Sequence, residues 1–171
     1  MSDICDFITG QAFLDTDDER IRQKIEQLLI EEKGYSKQDI EVDREFEIVV
    51  DEEKYRPKVD LIVSVKGKRF MIIRCARGSL VSREREVISC ARILNTYQIP
   101  YAAVTNGEDA EVIDTITGEV IGYGLEAIPS KTQILETLEK TEFKSLPEKR
   151  IEKEKRIFLA FDAIKCPSKC D

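Results

Sequence analysis

The stretch PKVDLIVSVKGKRFMIIRCAR, residues 57–77, decides the fold of this chain. It contains two apolar runs, at 60–65 and 70–76, which are separated by Lys66-Gly67-Lys68. A glycine between two short apolar runs is typical of a hairpin turn, so the pattern predicts two antiparallel strands. The second run is apolar at nearly every position, as expected of a central strand that is covered on both faces. The stretch therefore predicts the middle of a buried sheet.

The sequence on either side of this hairpin adds helices and further strands. Apolar residues recur at helical spacing between 21 and 29, which predicts an amphipathic helix behind the acidic run at 15–18. Further strands are predicted at 40–50, 101–105, 112–113 and 120–121, and a second helix at 82–97. The resulting order is α-β-β-β-α-β followed by a hairpin. This order predicts an α/β fold (an α+β mixed sheet) with helices on both faces.

The C-terminal region is predicted to be helical. Ser130 and Gln133 form a capping-box pattern at the start of a short helix. A longer helix at 148–165 begins densely charged and becomes apolar towards its end. The sequence leaves open whether this helix packs on the domain or binds a protein partner. The predicted division of the chain is a domain at 1–145 and a C-terminal helix with a cysteine-containing tail at 146–171.

Composition excludes several classes of protein. The chain has 171 residues, of which 42% are hydrophobic, enough for the core of one domain. It has no histidine, which excludes Ser-His-Asp and Cys-His catalysis and histidine-ligated zinc. No apolar run is long enough to span a membrane, and the acidic N-terminus does not resemble a signal peptide. An odd number of cysteines, five, argues against a disulfide framework. We therefore expect a cytoplasmic protein without membrane contact.

Asp60 is the residue that most directly suggests chemistry, because it is an acid at the head of an apolar strand. A carboxylate in that setting is unfavourable unless it is solvated, paired or bound to a metal ion. Aspartate and glutamate hold Mg²⁺, which activates water and offsets charge on a phosphate. An acid followed one strand later by Glu-x-Lys is the pattern of many metal-dependent nucleases.

Several segments in one order make the comparison specific: DERIR at 18–22, KGY at 33–35, KVDLIV at 58–63, RCARGSL at 74–80, and IPY with VTNG within 99–107. Together they resemble the N-terminal domain family of type I restriction enzyme R subunits, within the PD-(D/E)XK nuclease superfamily. The resemblance covers roughly residues 15–128 and implies a restriction-endonuclease-like fold. It also implies a metal-dependent endodeoxyribonuclease activity. A full R subunit continues into an ATP-driven translocase, for which 171 residues leave no room, so we expect a stand-alone domain or one served by other chains.

The resemblance assigns roles to single residues. Asp60 matches the metal-binding aspartate, and Glu19 matches a first-helix glutamate that can assist the metal. These two side chains would hold Mg²⁺. The Gln-x-x-x-Tyr pattern of the following helix falls on Glu86 and Cys90, so it is not matched.

The Glu-x-Lys motif of the family is also not matched. Aligning on the cysteine places Arg74 and Ala76 at the two positions, whereas aligning on the following glycine places Ile73 and Cys75 there. Neither register contains a carboxylate or a lysine. The resemblance therefore implies a nuclease fold with a degenerate active site. The alternative is an active Mg²⁺-dependent endonuclease with a migrated site, for which the neighbouring helix offers Glu84 and Glu86, with Glu86 the candidate for the second catalytic carboxylate.

A basic segment lies within this otherwise acidic chain of net charge −7. Residues 66–92 contain eight basic residues against two acidic ones. In this fold the segment would border the cleft, so phosphate contact is one interpretation. The other is a solvated basic face that balances the acidic first helix. The candidate nucleic-acid-binding residues are Lys68, Arg74, Arg77, Arg83, Arg85 and Arg92.

The cysteines at the ends of the chain suggest a metal centre only weakly. Some members of the nuclease superfamily join their termini through an iron–sulfur cluster that four cysteines hold. Cys5, Cys166 and Cys170 are available here, but Cys75 and Cys90 fall in predicted buried elements. We therefore expect reduced thiols, and no iron–sulfur cluster or zinc at Cys166 and Cys170.

Three functions are consistent with the sequence. The first is a catalytically degenerate domain that binds DNA or another nucleic acid. The second is an active Mg²⁺-dependent endonuclease with a rearranged site. The third is a protein–protein interaction module that uses the C-terminal helix. DNA binding separates the first two from the third, and cleavage that is lost in Asp60→Ala separates the second from the first.

Overall fold

The computed structural model describes residues 2–165 of the chain. Helices and strands alternate only in part, as the sequence predicts. Their bounds are β1 Asp3–Cys5, β2 Ala12–Leu14, α1 Asp17–Glu31, β3 Ile40–Glu45, β4 Ile48–Val50, β5 Glu53–Tyr55, β6 Lys58–Val65, β7 Lys68–Cys75, α2 Val81–Ile93, β8 Tyr101–Thr105, β9 Ala110–Asp114, β10 Val120–Tyr123, α3 Lys131–Thr137 and α4 Glu148–Lys165. Short 3₁₀ helices lie at Lys37–Asp39, Leu125–Ala127 and Leu138–Lys140.

The main sheet has six strands in the order β10-β9-β8-β7-β6-β3. β7 and β8 are parallel and are connected by α2, whereas all other neighbours in this sheet are antiparallel. The predicted hairpin forms β6 and β7, with Leu61 opposite Ile73 and Val63 opposite Met71. The predicted mixed sheet with helices is therefore confirmed.

Alternation along the strands divides the apolar residues between two faces of the sheet. Leu61 and Ile73 pack on the face that α1 and α3 cover, together with Ile25 of α1. Ile62 and Ile72 pack on the opposite face, beneath α2 and α4. Because helices cover both faces, β6 and β7 are apolar at consecutive positions, which explains the continuous runs in the sequence.

Two helix starts follow from local side-chain chemistry. Thr16 Oγ1 accepts a hydrogen bond of 3.1 Å from the backbone N–H of Glu19, which fixes the start of α1. The predicted capping box of α3 is confirmed, with Gln133 N donating to Ser130 Oγ at 3.2 Å and Ser130 N donating to Gln133 Oε1 at 2.8 Å.

The structure differs from the sequence prediction between residues 40 and 55. The predicted strand at 40–50 is broken, and its second half, β4, pairs with β5 in a separate hairpin. Asp51 and Glu52 both have positive φ, which is the backbone geometry of a tight two-residue hairpin turn. The N-terminal hairpin of β1 and β2 was not predicted, because its strands have only three residues each.

The C-terminal helix α4 packs against α2 and also contacts β4. The ring of its Phe158 lies 5.7 Å from the ring of Phe46, measured between centroids. The structure thus places this helix on its own domain, while the division of the chain at residue 145 stays a prediction. Within residues 2–165, every helix is too short or too polar to cross a membrane.

Candidate functional site at the carboxyl end of β7

One transverse row of the sheet brings together the residues that the sequence singles out. Arg74 near the end of β7 is opposite Val104 of β8, and Val104 is opposite Glu111 of β9. On the other side, the pairing of Leu61 with Ile73 places Asp60 beside Arg74. Because β7 runs antiparallel to β6, the head of β6 and the end of β7 meet at one edge. The first turn of α2 begins at this edge.

Asp60 is paired with arginine. Its Oδ2 accepts a hydrogen bond of 2.8 Å from Arg74 Nη1 and another of 2.8 Å from the backbone N–H of Cys75. Arg74 Nε lies 3.5 Å from Glu86 Oε1 of α2, and the Glu86 side chain is only 5% exposed. The guanidinium of Arg74 therefore lies between two carboxylates, one from the sheet and one from the helix.

The pleat of β7 distinguishes the two alignments of the Glu-x-Lys motif, one on the cysteine and one on the following glycine. Arg74 points to the α2 face and contacts Asp60, whereas Ile73 and Cys75 are buried in the core on the α1 face. Ala76 follows the strand and is 5% exposed, with no ionisable group. The register that aligns on the cysteine is therefore the one that places a side chain, Arg74, against Asp60.

Glu19 lies in a buried polar network beneath the N-terminal hairpin. Its Oε1 accepts hydrogen bonds from Arg22 Nη2 at 2.7 Å and from Gln23 Nε2 at 3.3 Å. The same Arg22 guanidinium lies 3.6 Å from Asp6 Oδ2 and 3.7 Å from Asp43 Oδ1. In the part of the chain that the structure describes, no three His, Cys, Asp or Glu side chains form a group that could hold a metal ion.

The carboxyl groups of Asp6 and Glu26 are neighbours in this network, and their interaction favours the protonated form of Glu26. Burial, followed by the hydrogen bond with Asp6 and the charge of Asp6, raises the pKa of Glu26 to about 9. Burial also raises the pKa of Asp6, but hydrogen bonds from the Thr9 backbone N–H and from Glu26 outweigh burial, so the pKa of Asp6 is lowered overall. Glu26 is fully buried, so its proton stays bound at neutral pH.

A second pair of carboxyl groups lies at the β9 end of the row. Glu111 is 8% exposed, and its Oε2 meets no N–H or hydroxyl donor within residues 2–165. Burial, followed by the hydrogen bond and the charge of Glu84, raises the pKa of Glu111 to about 7. These two acids therefore hold a proton close to physiological pH, at the start of α2.

We expect Glu111→Gln to stabilise the protein above neutral pH. The pKa of Glu111 is raised from 4.5 to about 7 in the folded state. The stability that its proton provides is therefore complete below the unfolded pKa and is lost as the pH rises through the folded pKa. The amide cannot ionise, so at about pH 8 the variant is expected to be more stable by roughly 2 kcal/mol. Urea unfolding at about pH 5 and about pH 8 measures the difference. Exposed Glu108→Gln is the control, and an equal gain at both pH values would refute the assignment.

The structure separates the predicted basic residues into three groups. Arg77 is exposed and pairs with Asp17 and Asp18 of α1, at 3.1 and 3.3 Å. Half-buried Arg83 lies beside Arg74; burial and then the charge of Arg74 lower the pKa of Arg83. Within residues 2–165, Arg83 forms no ion pair. These three arginines form what we call the corner cluster, at the end of β7 and the start of α2.

The other basic residues lie elsewhere. Lys68 lies at the opposite end of β7, roughly 20 Å from Arg74 along the strand, with its amine over the rings of Tyr97 and Phe143. Arg85 and Arg92 face α4 and pair with its buried Glu154. The single basic segment in the sequence is therefore not a single surface.

Two features of the site were missed by sequence reasoning. Glu154 lies in the charged run EKRIEKEKR, where nothing distinguishes the one acid that becomes buried. The pair of Asp6 and Glu26 was also missed, since the two residues are far apart in sequence. Glu26 does lie one position from Ile25 on the apolar stripe of α1, and this neighbourhood was the available signal.

The cysteine predictions fall partly outside the described residues. Cys166 and Cys170 lie beyond residue 165, so the prediction about a cluster or zinc there stays untested. Cys5 is exposed and its thiol donates to Gly10 O at 3.2 Å, whereas Cys75 and Cys90 are buried as predicted. Burial raises the pKa of the Cys75 thiol well above its ordinary value, so it stays protonated.

Comparison with known proteins agrees with the sequence resemblance. A family model described as type I restriction enzyme R protein N terminus matches residues 17–129. The match begins at the first residue of α1 and extends past β10, so it contains the whole six-stranded sheet and the corner cluster. No curated protein and no solved structure was found to match. The chain belongs to the family of type I restriction enzyme R protein N-terminal domains.

Proposed function

We propose that this domain binds nucleic acid, with duplex DNA as the first candidate, and does not cleave it. The observation that carries the proposal is the position of Arg74, whose guanidinium contacts Asp60 at 2.8 Å and lies 3.5 Å from Glu86. A permanent cation thus lies where a metal-dependent nuclease of this superfamily would have a second carboxylate.

The residues around Asp60 do not suit a magnesium ion. Mg²⁺ needs oxygen ligands with negative charge, and Asp60 Oδ2 already accepts from Arg74 and from the Cys75 backbone N–H. Arginine hardly deprotonates, so it cannot replace a lysine in proton transfer, and Ala76 has no group to offer. Phosphodiester hydrolysis at this site therefore lacks the cation and a proton-transfer group.

The same geometry supports phosphate binding. The corner cluster of Arg74, Arg77 and Arg83 joins three guanidiniums at one edge of the sheet. The ion pairs of Arg77 with Asp17 and Asp18 are exposed on both sides, so they contribute little and exchange readily for a phosphate. Within residues 2–165 Arg83 forms no ion pair, although the charges of Asp18 and Asp60 act on it, so its donors can bind a phosphate.

Replacement of Arg77 and Arg83 by glutamine is expected to weaken DNA binding through lost phosphate contacts. Each lost contact reduces the slope of log K against log salt by about one, so the double variant should lose about two. Anisotropy of a fluorescein-labelled short duplex, titrated at several salt concentrations, measures the slope.

Arg56→Gln is the matched control, because Arg56 is exposed and pairs with Glu45 and Glu47 away from the corner cluster. An unchanged slope in the double variant would remove the corner cluster from the interface. A wild-type protein that does not bind duplex DNA or single-stranded nucleic acid at low salt would refute the proposal itself.

An active nuclease remains a second candidate because of one observation. Glu86 comes from α2, the neighbouring helix, and shares the Arg74 guanidinium with Asp60, so the two carboxylates flank one point. A migrated site would use them together after Arg74 moves to a phosphate. Plasmid nicking with Mg²⁺ or Mn²⁺ that disappears in both Asp60→Asn and Glu86→Gln would establish this function, and its absence in the wild type would reject it.

A further inference from the structure

One face of α2 has the composition of a binding site for an oxyanion. Arg85, Ser89 and Arg92 follow each other at helical spacing, and all three side chains converge on the carboxylate of Glu154. Arg85 Nη2 and Arg92 Nη1 lie 2.9 and 2.8 Å from Glu154 Oε1, and Ser89 Oγ lies 2.8 Å from Oε2. The side chains of Arg92 and Glu154 are 9% and 4% exposed.

The carboxylate stays ionised in this setting. Burial by itself would raise the pKa of Glu154, but hydrogen bonds from Arg85, Arg92 and Ser89 lower it to about 2. One negative charge faces two positive charges, so the site keeps an excess of one positive charge. Two guanidiniums and a hydroxyl suit a phosphate, which brings more oxygens and more negative charge than a carboxylate.

The donors are held in place by groups that do not belong to α4. Arg92 Nε donates to Thr115 O at 2.9 Å, and its Nη2 donates to Ile116 O at 3.3 Å. Arg85 Nη1 donates to Ser89 Oγ at 2.8 Å, within α2. The donor set therefore stays oriented if α4 leaves, which is a property of a binding site rather than of a helix clamp.

Beyond Glu154, α4 packs along α2 and inserts Phe158, with partly buried Leu159, into the core on this face of the sheet. Phe158 packs against Phe46, and the ion pair of Arg156 with Asp51 is exposed on both sides. The chain just before α4 stays attached to the domain, since Gln98 N donates to Lys144 O at 2.8 Å. Release of α4 therefore requires the loss of the Glu154 contacts and of the packing of Phe158 and Leu159 in this half of the core, whereas the strand pairings of the sheet involve no residue of α4.

We infer that Arg85, Ser89 and Arg92 form a second phosphate-binding site, and that Glu154 of α4 is its built-in competitor. A phosphate enters when α4 leaves, and α4 covers the site when no phosphate is present. The site itself depends on the geometry of α2 and on the backbone carbonyls of Thr115 and Ile116 that hold Arg92. The assignment of the phosphate to a nucleic-acid backbone rests on the proposed function.

Inorganic pyrophosphate tests the site without nucleic acid. We expect calorimetry to give about tenfold tighter pyrophosphate binding for Glu154→Ala than for the wild type, because the competitor is gone. Addition of Arg92→Gln to that variant should abolish the gain. Glu152→Ala is the matched control, since it removes the same charge from α4, and Glu152 pairs with Lys155 of its own helix. Equal affinities in Glu154→Ala and the wild type would overturn the inference.

Two further measurements test the same inference without Glu154→Ala, in case that variant does not fold. Phe158→Ala loosens α4 without any change in charge and should raise pyrophosphate affinity in the same direction. In the wild type, saturating pyrophosphate should increase hydrogen exchange of the α4 amides. Unchanged exchange there would overturn the role of α4 as a competitor, whatever the variants do.

Labelled duplex DNA then distinguishes the source of the phosphate. If nucleic acid is the ligand, Glu154→Ala should bind DNA more tightly, with a salt slope steeper by about two, for Arg85 and Arg92. Tighter pyrophosphate binding with unchanged DNA binding would keep the anion site and assign it to a free phosphate. Tighter pyrophosphate binding with no DNA binding in any variant would reject the proposed function alone.

Discussion

Arg74→Glu is expected to convert the domain into a Mn²⁺-binding protein. The substitution would place a third carboxylate between Asp60 and Glu86, where the structure has a guanidinium. Without metal, the three like charges should destabilise the fold by about 3 kcal/mol, because a paired charge is removed and an unpaired one is added. Mn²⁺ at about 100 times its Kd should restore about 2.7 kcal/mol.

Thermal unfolding with and without Mn²⁺ measures this effect. A recovery of that size corresponds to a rise in Tm of roughly 5–10 °C for a chain of this length. Arg74→Gln is the control, because it removes the same cation and adds no carboxylate, so Mn²⁺ should leave its Tm unchanged. Addition of Asp60→Asn to Arg74→Glu should remove the response. A Tm of Arg74→Glu that ignores Mn²⁺ would show that position 74 is not a metal position of this fold.

Glu26→Gln is expected to remove most of the loss of stability between acidic and alkaline pH. The pKa of Glu26 is raised from 4.5 to about 9 in the folded state. The bound proton therefore contributes fully to the free energy of unfolding below the unfolded pKa. This contribution is lost as the pH rises through about 9, by about 1 kcal/mol per pH unit. Glutamine cannot ionise and still donates a hydrogen bond to Asp6. The free energy of unfolding of Glu26→Gln should therefore exceed that of the wild type by about 4 kcal/mol at about pH 9.

Chemical unfolding at about pH 5, 7 and 9 measures the gain as a function of pH. Near pH 5 the two proteins should differ little, since Glu26 is protonated in the folded state and only partly ionised in the unfolded state. Glu31→Gln is the matched control, because Glu31 lies on the same helix and is exposed. Parallel stability curves for Glu26→Gln and the wild type would mean that Glu26 is ionised in the fold.

The elements that the sequence predicted best are those with a purely local cause. The hairpin of β6 and β7 follows from two apolar runs around a Lys-Gly-Lys turn. The cap of α3 needs only Ser130 and Gln133, which are three residues apart. The strand predicted at 40–50 is interrupted at 46–47, and its last residues, 48–50, form a strand that pairs with β5 instead of the main sheet. The change of partner is a tertiary effect that no local pattern predicts.

The candidate site was predictable in its members but not in its pairings. Both Asp60 and Arg74 were named from the sequence, yet two registers placed different residues in the motif. The pleat decides between them, since neighbouring residues of a strand point to opposite faces and only Arg74 shares a face with Asp60. A shift of one residue would have reversed the assignment.

By itself, the sequence determined the mixed sheet and the covering helices, because periods of two and 3.6 residues identify strands and helices locally. The resemblance to the family came instead from short segments in a fixed order, and a family model matches residues 17–129. Only the tertiary structure decided how the charges are distributed. Arg83 and Arg85 are two residues apart, but one lies in the corner cluster and the other is bound to Glu154. Charged side chains obtain their partners from packing between distant segments, and burial then sets their pKa values. Neither the partner nor the burial is encoded in a local pattern of residue types.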